Sequence, residues 1–385
     1  MPSEIKETYF YYESSINGLS PLAVRCFHSA NADLWPCPLL VLVHDFRGTS
    51  KDLIHVAKHY AEKGLLILIP EMRGYGDCAG DRDFGCWEIF DIVDAIATVY
   101  EKLPAVFPPI KKRRTSLGSV LKANNPDFHI WGFLGGGTTV YSALAKLPYL
   151  FRTAASFFGV PNMQRFYELK LRKDINVILR NFIGGTPEQK KLAYQTRNHV
   201  PALRNTLTRL HVIWDKHHPV YKYELVKEIL DLNLPNVIYS GTEYGDPFRW
   251  DPVHFSRHMP PEGYALLDEQ LLEEIFNWNP ITPERHHFLV DYRNWNYRFN
   301  MKTTDTLYIP GYLITPLFIA IINTGCAGVG HLYYNIHNEA LRGSKISVEI
   351  FENGKQFNHP IDAKRYMELT IYDVDKKTPF ELRFL

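Results

Sequence analysis

Short, unbroken apolar runs alternate with segments of helical period over most of the chain. Residues 38–44 (PLLVLVH), 65–70 (LLILIP), 128–133 (FHIWGF) and 151–159 (FRTAASFFG) have the length and continuity of strands buried on both faces. Between them, residues 50–63, 87–103 and 138–147 repeat apolar positions with the spacing of helices packed on one side. Ser50 stands where the first of these helices needs an N-cap, and Gly64 follows its end. The alternation resumes with a strand at 210–214, a helix at 221–230, a strand at 236–240 and a last helix at 264–278. Residues 8–14 and 22–29 read as an opening hairpin joined through Asn17-Gly18. The pattern predicts an α/β fold, a doubly wound and mostly parallel sheet covered by helices on both faces.

Two segments interrupt the alternation. Residues 160–205 are helix-rich and read as a helical cap inserted over the cleft of the sheet. Residues 104–127 carry Pro108-Pro109 and then Lys111-Lys112-Arg113-Arg114 where a short loop would suffice. This basic loop reads as a solvated insertion, with a docking loop for an anionic partner as the sharper alternative. The breaker cluster Asn279-Pro280-Ile281-Thr282-Pro283 then ends the α/β pattern. Beyond it come strand-like stretches at 307–309, 317–323, 332–336, 346–351, 367–372 and 380–385, with Asn353-Gly354 as a hairpin signal. The expected domains are 1–282, of α/β type, and 283–385, an antiparallel β-sandwich.

Composition narrows the function classes. The 385 residues hold 43 Lys+Arg against 42 Asp+Glu, so no global charge favours nucleic acid or an anionic membrane. The longest apolar stretch, 307–322, is broken by Pro310, Gly311 and Pro316, which argues against a membrane span. The N-terminal residues show no basic segment followed by an apolar one, so no secretory signal is expected. Five cysteines (Cys26, Cys37, Cys78, Cys86 and Cys326) form no C-x-x-C pair and read as reduced thiols of a cytoplasmic protein.

The chemistry centres on Gly132-Phe133-Leu134-Gly135-Gly136-Gly137, where an apolar strand runs through a glycine-rich turn into a helix. That is the layout of the G-x-S-x-G nucleophile elbow, in which a strained turn lifts a serine Oγ above the sheet. Here the serine position is Leu134, whose side chain has no nucleophilic atom. Other stretches point the same way: Val43-His44-Asp45-Phe46-Arg47-Gly48, Pro70-Glu71-Met72-Arg73-Gly74-Tyr75-Gly76, Asp91-Ile92-Val93-Asp94-Ala95-Ile96, residues 154–160 (AASFFGV) and Gly184-Gly185-Thr186-Pro187-Glu188. Taken together, residues 8–278 resemble the α/β-hydrolase superfamily, and within it the prolyl oligopeptidase-like branch with its acyl-peptide hydrolase and esterase relatives.

The resemblance implies a Ser–Asp–His triad in that chain order. The serine position is Leu134, alignment on the following helix puts His218 at the acid, and the histidine position falls on Tyr244. All three are substituted. Joint loss is expected once the nucleophile is gone, because base and acid act only through it. Displaced groups that could take over are Asp215, His254 and His258. Thr138 and Thr139 fall in the first helical turn, where a hydroxyl more often caps than attacks. Cys78 and Cys86 lack a histidine neighbour and read as small core residues. A zinc site from His217, His218, His254, His258, His286 and His287 is disfavoured, since adjacent side chains diverge. No metal or cofactor is called for.

What remains is a cleft formed by His44, Asp45, Phe46, Phe133, Leu134, Gly135, Gly136 and Gly137. Its glycine N–H groups at a helix N-terminus make a nest for a small acyl or carboxylate ligand. The expected function is that of a catalytically inactive hydrolase-like protein, a binding, scaffolding or structural subunit with a protein partner or as a homo-oligomer. The alternative is an active esterase, deacylase or peptidase with a non-standard nucleophile or a rearranged base.

Overall fold

The computed structural model describes residues 4–14, 19–30, 37–82, 84–85, 88–103, 128–146, 150–190, 193–194, 197–206, 208–215, 223–242, 264 and 267–277, and from 286 onward the paired strands alone. The first part of the chain runs β1 (Ile5–Tyr12), β2 (Leu22–Ser29), β3 (Leu39–Val43), α1 (Ile54–Glu62), β4 (Leu66–Glu71), α2 (Glu88–Lys102), β5 (Phe128–Phe133), α3 (Gly135–Lys146) and β6 (Thr153–Phe157). It continues with α4 (Met163–Leu169), α5 (Lys173–Ile183), β7 (Arg209–Asp215), α6 (Glu224–Leu230), β8 (Val237–Thr242) and α7 (Glu273–Phe276). The eight strands form one sheet in the order β1-β2-β4-β3-β5-β6-β7-β8. β1, β2 and β4 pair antiparallel, and β4, β3, β5, β6, β7 and β8 pair parallel.

The apolar runs sit where their composition requires. Every residue of β3, β4, β5 and β6 is buried, as expected of parallel strands covered on both faces. α1 turns Val56, Ala57, Tyr60 and Ala61 inward. Tyr60 meets Trp131 of β5 edge to face at 4.9 Å. α2 carries Glu88 and Asp91 in its first turn and Lys102 in its last, matching the helix dipole.

The largest departure from the sequence reading of this region is at α3, which begins at Gly135 instead of at residue 138. The three glycines are helical because the first turn lies against the strand ends. A Cβ on Gly136 would sit 2.1 Å from the carbonyl oxygen of Val43, and one on Gly132 2.1 Å from that of Gly136. The last helix is also broken up: a π-turn at Asp268–Leu272 leads into the short α7.

By contact the chain forms two compact units. One comprises residues 1–141, 151–160 and 209–280 and carries the sheet. The other comprises residues 142–150, 161–208 and 281–385. In the second unit, β9 (His286–Val290) through β16 (Phe380–Phe384) pair antiparallel in two sheets, β10-β11-β12-β15 and β14-β13-β16-β9. β10 is Pro310–Ile314, β11 Phe318–Cys326, β12 Val329–Ile336, β13 Lys345–Glu352, β14 Lys355–Asp362 and β15 Met367–Tyr372. The Asn353-Gly354 signal marks the β13–β14 hairpin, where Glu352 pairs with Lys355. β9 and β14 were not legible in the sequence, which broke the apolar pattern with His286-His287 and with Pro360. Pro360 lies on an edge strand, where its missing N–H is tolerated. The Asn17-Gly18 turn and the 104–127 loop fall outside the described residues.

Candidate functional site

Leu134 closes β5 in the left-handed region, with φ of 54°. A side chain with a Cβ is strained there, and that strain is the signature of an elbow. The turn is pinned on both sides: the Leu134 N–H donates to the Phe157 carbonyl at 2.7 Å, and its carbonyl accepts from the Thr138 N–H at 3.2 Å. Leu134 is buried, with 6 % of its surface exposed. Beneath it Phe133 stacks on Phe157, with ring centroids 4.6 Å apart.

The loop after β3 supplies the opposite wall, and Asp45 is its decisive residue. One carboxylate oxygen, Oδ1, accepts the N–H of Phe46 at 2.7 Å and the N–H of Gly135 at 2.9 Å. An α/β-hydrolase oxyanion hole is built from these two kinds of donor, the amide after the nucleophile and an amide of the loop after β3. In this chain both amides are taken by the carboxylate of Asp45. Burial pushes the Asp45 carboxyl above the usual carboxylate range, while the Gly135 and Phe46 amides pull it back down.

Sequence reasoning placed Asp45 in the cleft wall and missed this role.

Phe46 covers the other side of the turn. Its ring lies so close to Gly135 that a Cβ there would come within 2.3 Å of it. The ring meets Phe84 edge to face at 4.3 Å. Arg82 stacks over Tyr75 at 3.9 Å and donates to the Phe46 carbonyl at 3.3 Å.

His44 is held by backbone on both ring nitrogens. It is buried, its Nε2 accepts the Met72 N–H at 3.1 Å, and its Nδ1 lies 2.8 Å from the Asp45 carbonyl. With Nε2 used as an acceptor, the proton sits on Nδ1, and both nitrogens hold backbone. Glu71 Oε1, 3.5 Å from Nε2, is instead part of a separate network with Ser50. Ser50 Oγ donates to Glu71 Oε2 at 2.5 Å and accepts from Arg25 Nε at 2.8 Å.

The other nucleophile candidates are engaged structurally. Thr138 Oγ1 accepts the Val160 N–H at 2.9 Å, and Thr139 Oγ1 lies 3.4 Å from both the Gly135 carbonyl and Glu88 Oε2. The Cys78 thiol donates to the Glu71 carbonyl at 3.3 Å, and burial pushes its pKa up to about 12, far from thiolate formation at neutral pH. Asp215 ends β7, its backbone paired with Thr242. His217, His218, Tyr244, His254, His258 and Cys86 lie outside the described residues. His286 and His287 are successive positions of β9. Among the described residues no group of three or more His, Cys, Asp or Glu is placed to hold a metal.

No protein-family model matches the chain. Against solved structures, acylaminoacyl peptidase of Pyrococcus horikoshii superposes with a TM-score of 0.52 at 17 % identity, over 72 % of this chain and 43 % of that one. Acylaminoacyl peptidase in complex with Z-Gly-Gly-Phe-chloromethyl ketone superposes with a TM-score of 0.50 at 16 % identity, over 71 % and 44 %. The fold is that of an α/β-hydrolase. The match spans less than half the length of these peptidases. Among curated proteins, the uncharacterized peptidase YtmA of Bacillus subtilis (strain 168) is 22 % identical over 222 residues, 57 % of this chain and 74 % of that protein. Within this sheet Leu134 sits at the left-handed turn after β5, and Asp45 Oδ1 accepts the Phe46 and Gly135 amides. Among the described residues no helix is long and apolar enough to cross a membrane.

Proposed function

We propose that the chain is a catalytically inactive α/β-hydrolase-fold protein that works as a binding, scaffolding or structural subunit. One observation carries this reading: both halves of the reaction centre are filled from within, the nucleophile position by Leu134 and the oxyanion hole by Asp45 Oδ1. Acyl transfer needs donors waiting where negative charge develops, and loss of one donor alone costs about 3–4 kcal/mol. Here the donors are spent on a carboxylate. When that carboxylate is ionised, a second negative oxygen ~4 Å away would meet a repulsion of about 4 kcal/mol at an effective dielectric of ~20. The hole then opposes the transition state it would otherwise stabilise. A ligand carboxylate entering the nest must likewise displace Asp45.

The C-terminal strands fit a β-sandwich domain from residue 283, and five cysteines without a C-x-x-C pair fit a cytoplasmic setting.

Labelling with a fluorophosphonate tests the reading directly. No residue should be labelled, and stoichiometric labelling at any serine, threonine or tyrosine would instead support a hydrolase with a non-standard nucleophile. A graft of Leu134→Ser, His218→Asp and Tyr244→His tests the role of Asp45. Ester hydrolysis is expected only when Asp45→Gly is added, and equal activity with Asp45 retained would remove the charge argument.

A further inference from the structure

β1 is an edge strand of the eight-stranded sheet, and among the described strands it pairs with β2 alone. Its eight residues keep one continuous register with β2, from Ile5 opposite Ser29 to Tyr12 opposite Leu22. The strand contains no proline, no bulge and a single lysine. Proline, bulges and charged side chains are the devices by which soluble proteins blunt an open edge, and over eight residues β1 has only Lys6 and Glu7 of these.

The direction of its backbone groups is set by one bond. The Ala30 N–H donates to the Glu4 carbonyl at 2.8 Å, so Glu4 and Ala30 form a hydrogen-bonded pair. Alternation along an antiparallel ladder then commits Lys6, Thr8, Phe10 and Tyr12 to β2. Ile5, Glu7, Tyr9 and Tyr11 point their N–H and C=O groups away from the sheet. Along this edge Ile5, Glu7, Tyr9 and Tyr11 share one side of the strand, and Lys6, Thr8, Phe10 and Tyr12 the other. Tyr11 is 57 % exposed, and it meets Tyr9 edge to face at 5.2 Å. Arg25 stacks over Tyr9 at 4.7 Å and pairs with Glu7 at 2.9 Å, which fixes the rings at the edge.

We propose that β1 is a homodimer interface, in which a second copy of this chain adds its own β1 antiparallel to form one continuous sheet. The occupant is a second copy because the edge is complementary to itself. Only one two-fold register uses every outward group. It sets Ile5 opposite Tyr11 of the second copy and Glu7 opposite Tyr9 of the second copy, and the axis passes between the two Thr8 residues. In that register Lys6 lies opposite Phe10 of the second copy, so no like charges face each other across the junction. The two-fold contact is closed, with the same patch on both chains, and it leaves no β1 edge open for further addition. The proposal stands apart from the inactive reading of the site, and neither fails with the other.

The test uses the full chain. Light scattering on a sizing column at tens of micromolar should give the mass of two chains. Tyr9→Pro removes an outward N–H without touching the β1–β2 ladder, and it should halve that mass with an unchanged far-UV spectrum. Thr8→Cys gives an independent reading. Its two Cα atoms would be ~4.5 Å apart across the axis in a non-hydrogen-bonded pair, inside the ~4.4–6.8 Å that a disulfide needs. Mild oxidation should then produce a reducible band of twice the mass for Thr8→Cys, and none for Lys6→Cys or for the parent chain. A monomeric parent chain would overturn the proposal, as would a dimer untouched by Tyr9→Pro. If Tyr9→Pro does not fold, the cysteine pair decides. Cross-linking at Thr8 and not at Lys6 supports this edge, and equal behaviour of the two rejects it.

Discussion

Replacing Leu134 by alanine and by glycine separates two things the elbow does at once. The leucine side chain is almost wholly buried, and truncating such a side chain to alanine costs about 2–5 kcal/mol. The backbone at 134 is left-handed, which costs a residue with a Cβ about 1–2 kcal/mol and glycine almost nothing. Leu134→Ala therefore loses the packing and keeps the strain, for a net loss of about 3 kcal/mol. Leu134→Gly loses the same packing and sheds the strain, so it should be about 1 kcal/mol more stable than the alanine variant. That order reverses the usual one, in which alanine outranks glycine by roughly 0.5–1 kcal/mol inside regular structure. Urea unfolding followed by tryptophan fluorescence reads it out, because Trp131 and Trp214 are fully buried in the same unit as the elbow. Two results would refute the reasoning. Alanine as stable as leucine would mean that Leu134 faces an open cleft, and alanine above glycine would mean that the turn is not left-handed.

Three further outcomes are expected of the same sheet. His129 is buried in β5 with Nδ1 2.7 Å from Thr153 Oγ1, and burial pulls its pKa down to about 3. The unfolded chain takes up a proton below pH ~6.5 that the folded chain refuses, so stability is full above that value and falls with pH toward 3. The loss should reach about 2 kcal/mol near pH ~5, and His129→Gln should remove it from urea midpoints compared across that range. Gly136→Ala drives a Cβ to 2.1 Å from the Val43 carbonyl oxygen, and since the atoms it meets are backbone of Val43 and His44, a loss of several kcal/mol is expected in melting experiments. Arg73 holds Asp91 through two hydrogen bonds of 2.7 and 2.6 Å in a buried pair. Arg73→Ala strands the carboxylate and should cost about 3–5 kcal/mol, whereas Arg73→Met with Asp91→Leu should recover most of that, and no recovery would argue that the charges serve more than the fold.

The legible part of this protein was its sheet. Runs such as LLVLV and LILIP have one reading in an alternating chain, and β3 and β4 lie where those runs predicted. The elbow was legible too, since a glycine-rich turn after an apolar strand admits few geometries, and Leu134 is left-handed as that motif requires. The start of α3 was not. Three glycines read locally as a breaker, and only the nearness of Val43 and Gly159 makes them the one residue type the first turn can use. Asp45 was out of reach for a different reason. Its bond to Gly135 joins residues 90 apart, and no local pattern announces which distant amide a carboxylate will find. His129 sits inside FHIWGF, where the letters show an apolar strand and say nothing about how far burial suppresses its charge.

The shared acceptor at Asp45 also makes the protein its own indicator. The Phe46 and Gly135 amide protons point at a single oxygen, and an amide resonance moves when the carboxylate it faces gains a proton. In a nitrogen–proton correlation spectrum these two signals should therefore shift together, with one common midpoint, although their residues are remote in the chain. Anything that draws Asp45 out of the hole would move the same pair at constant pH. Two peaks would thus report whether the Asp45 carboxylate still holds both amides.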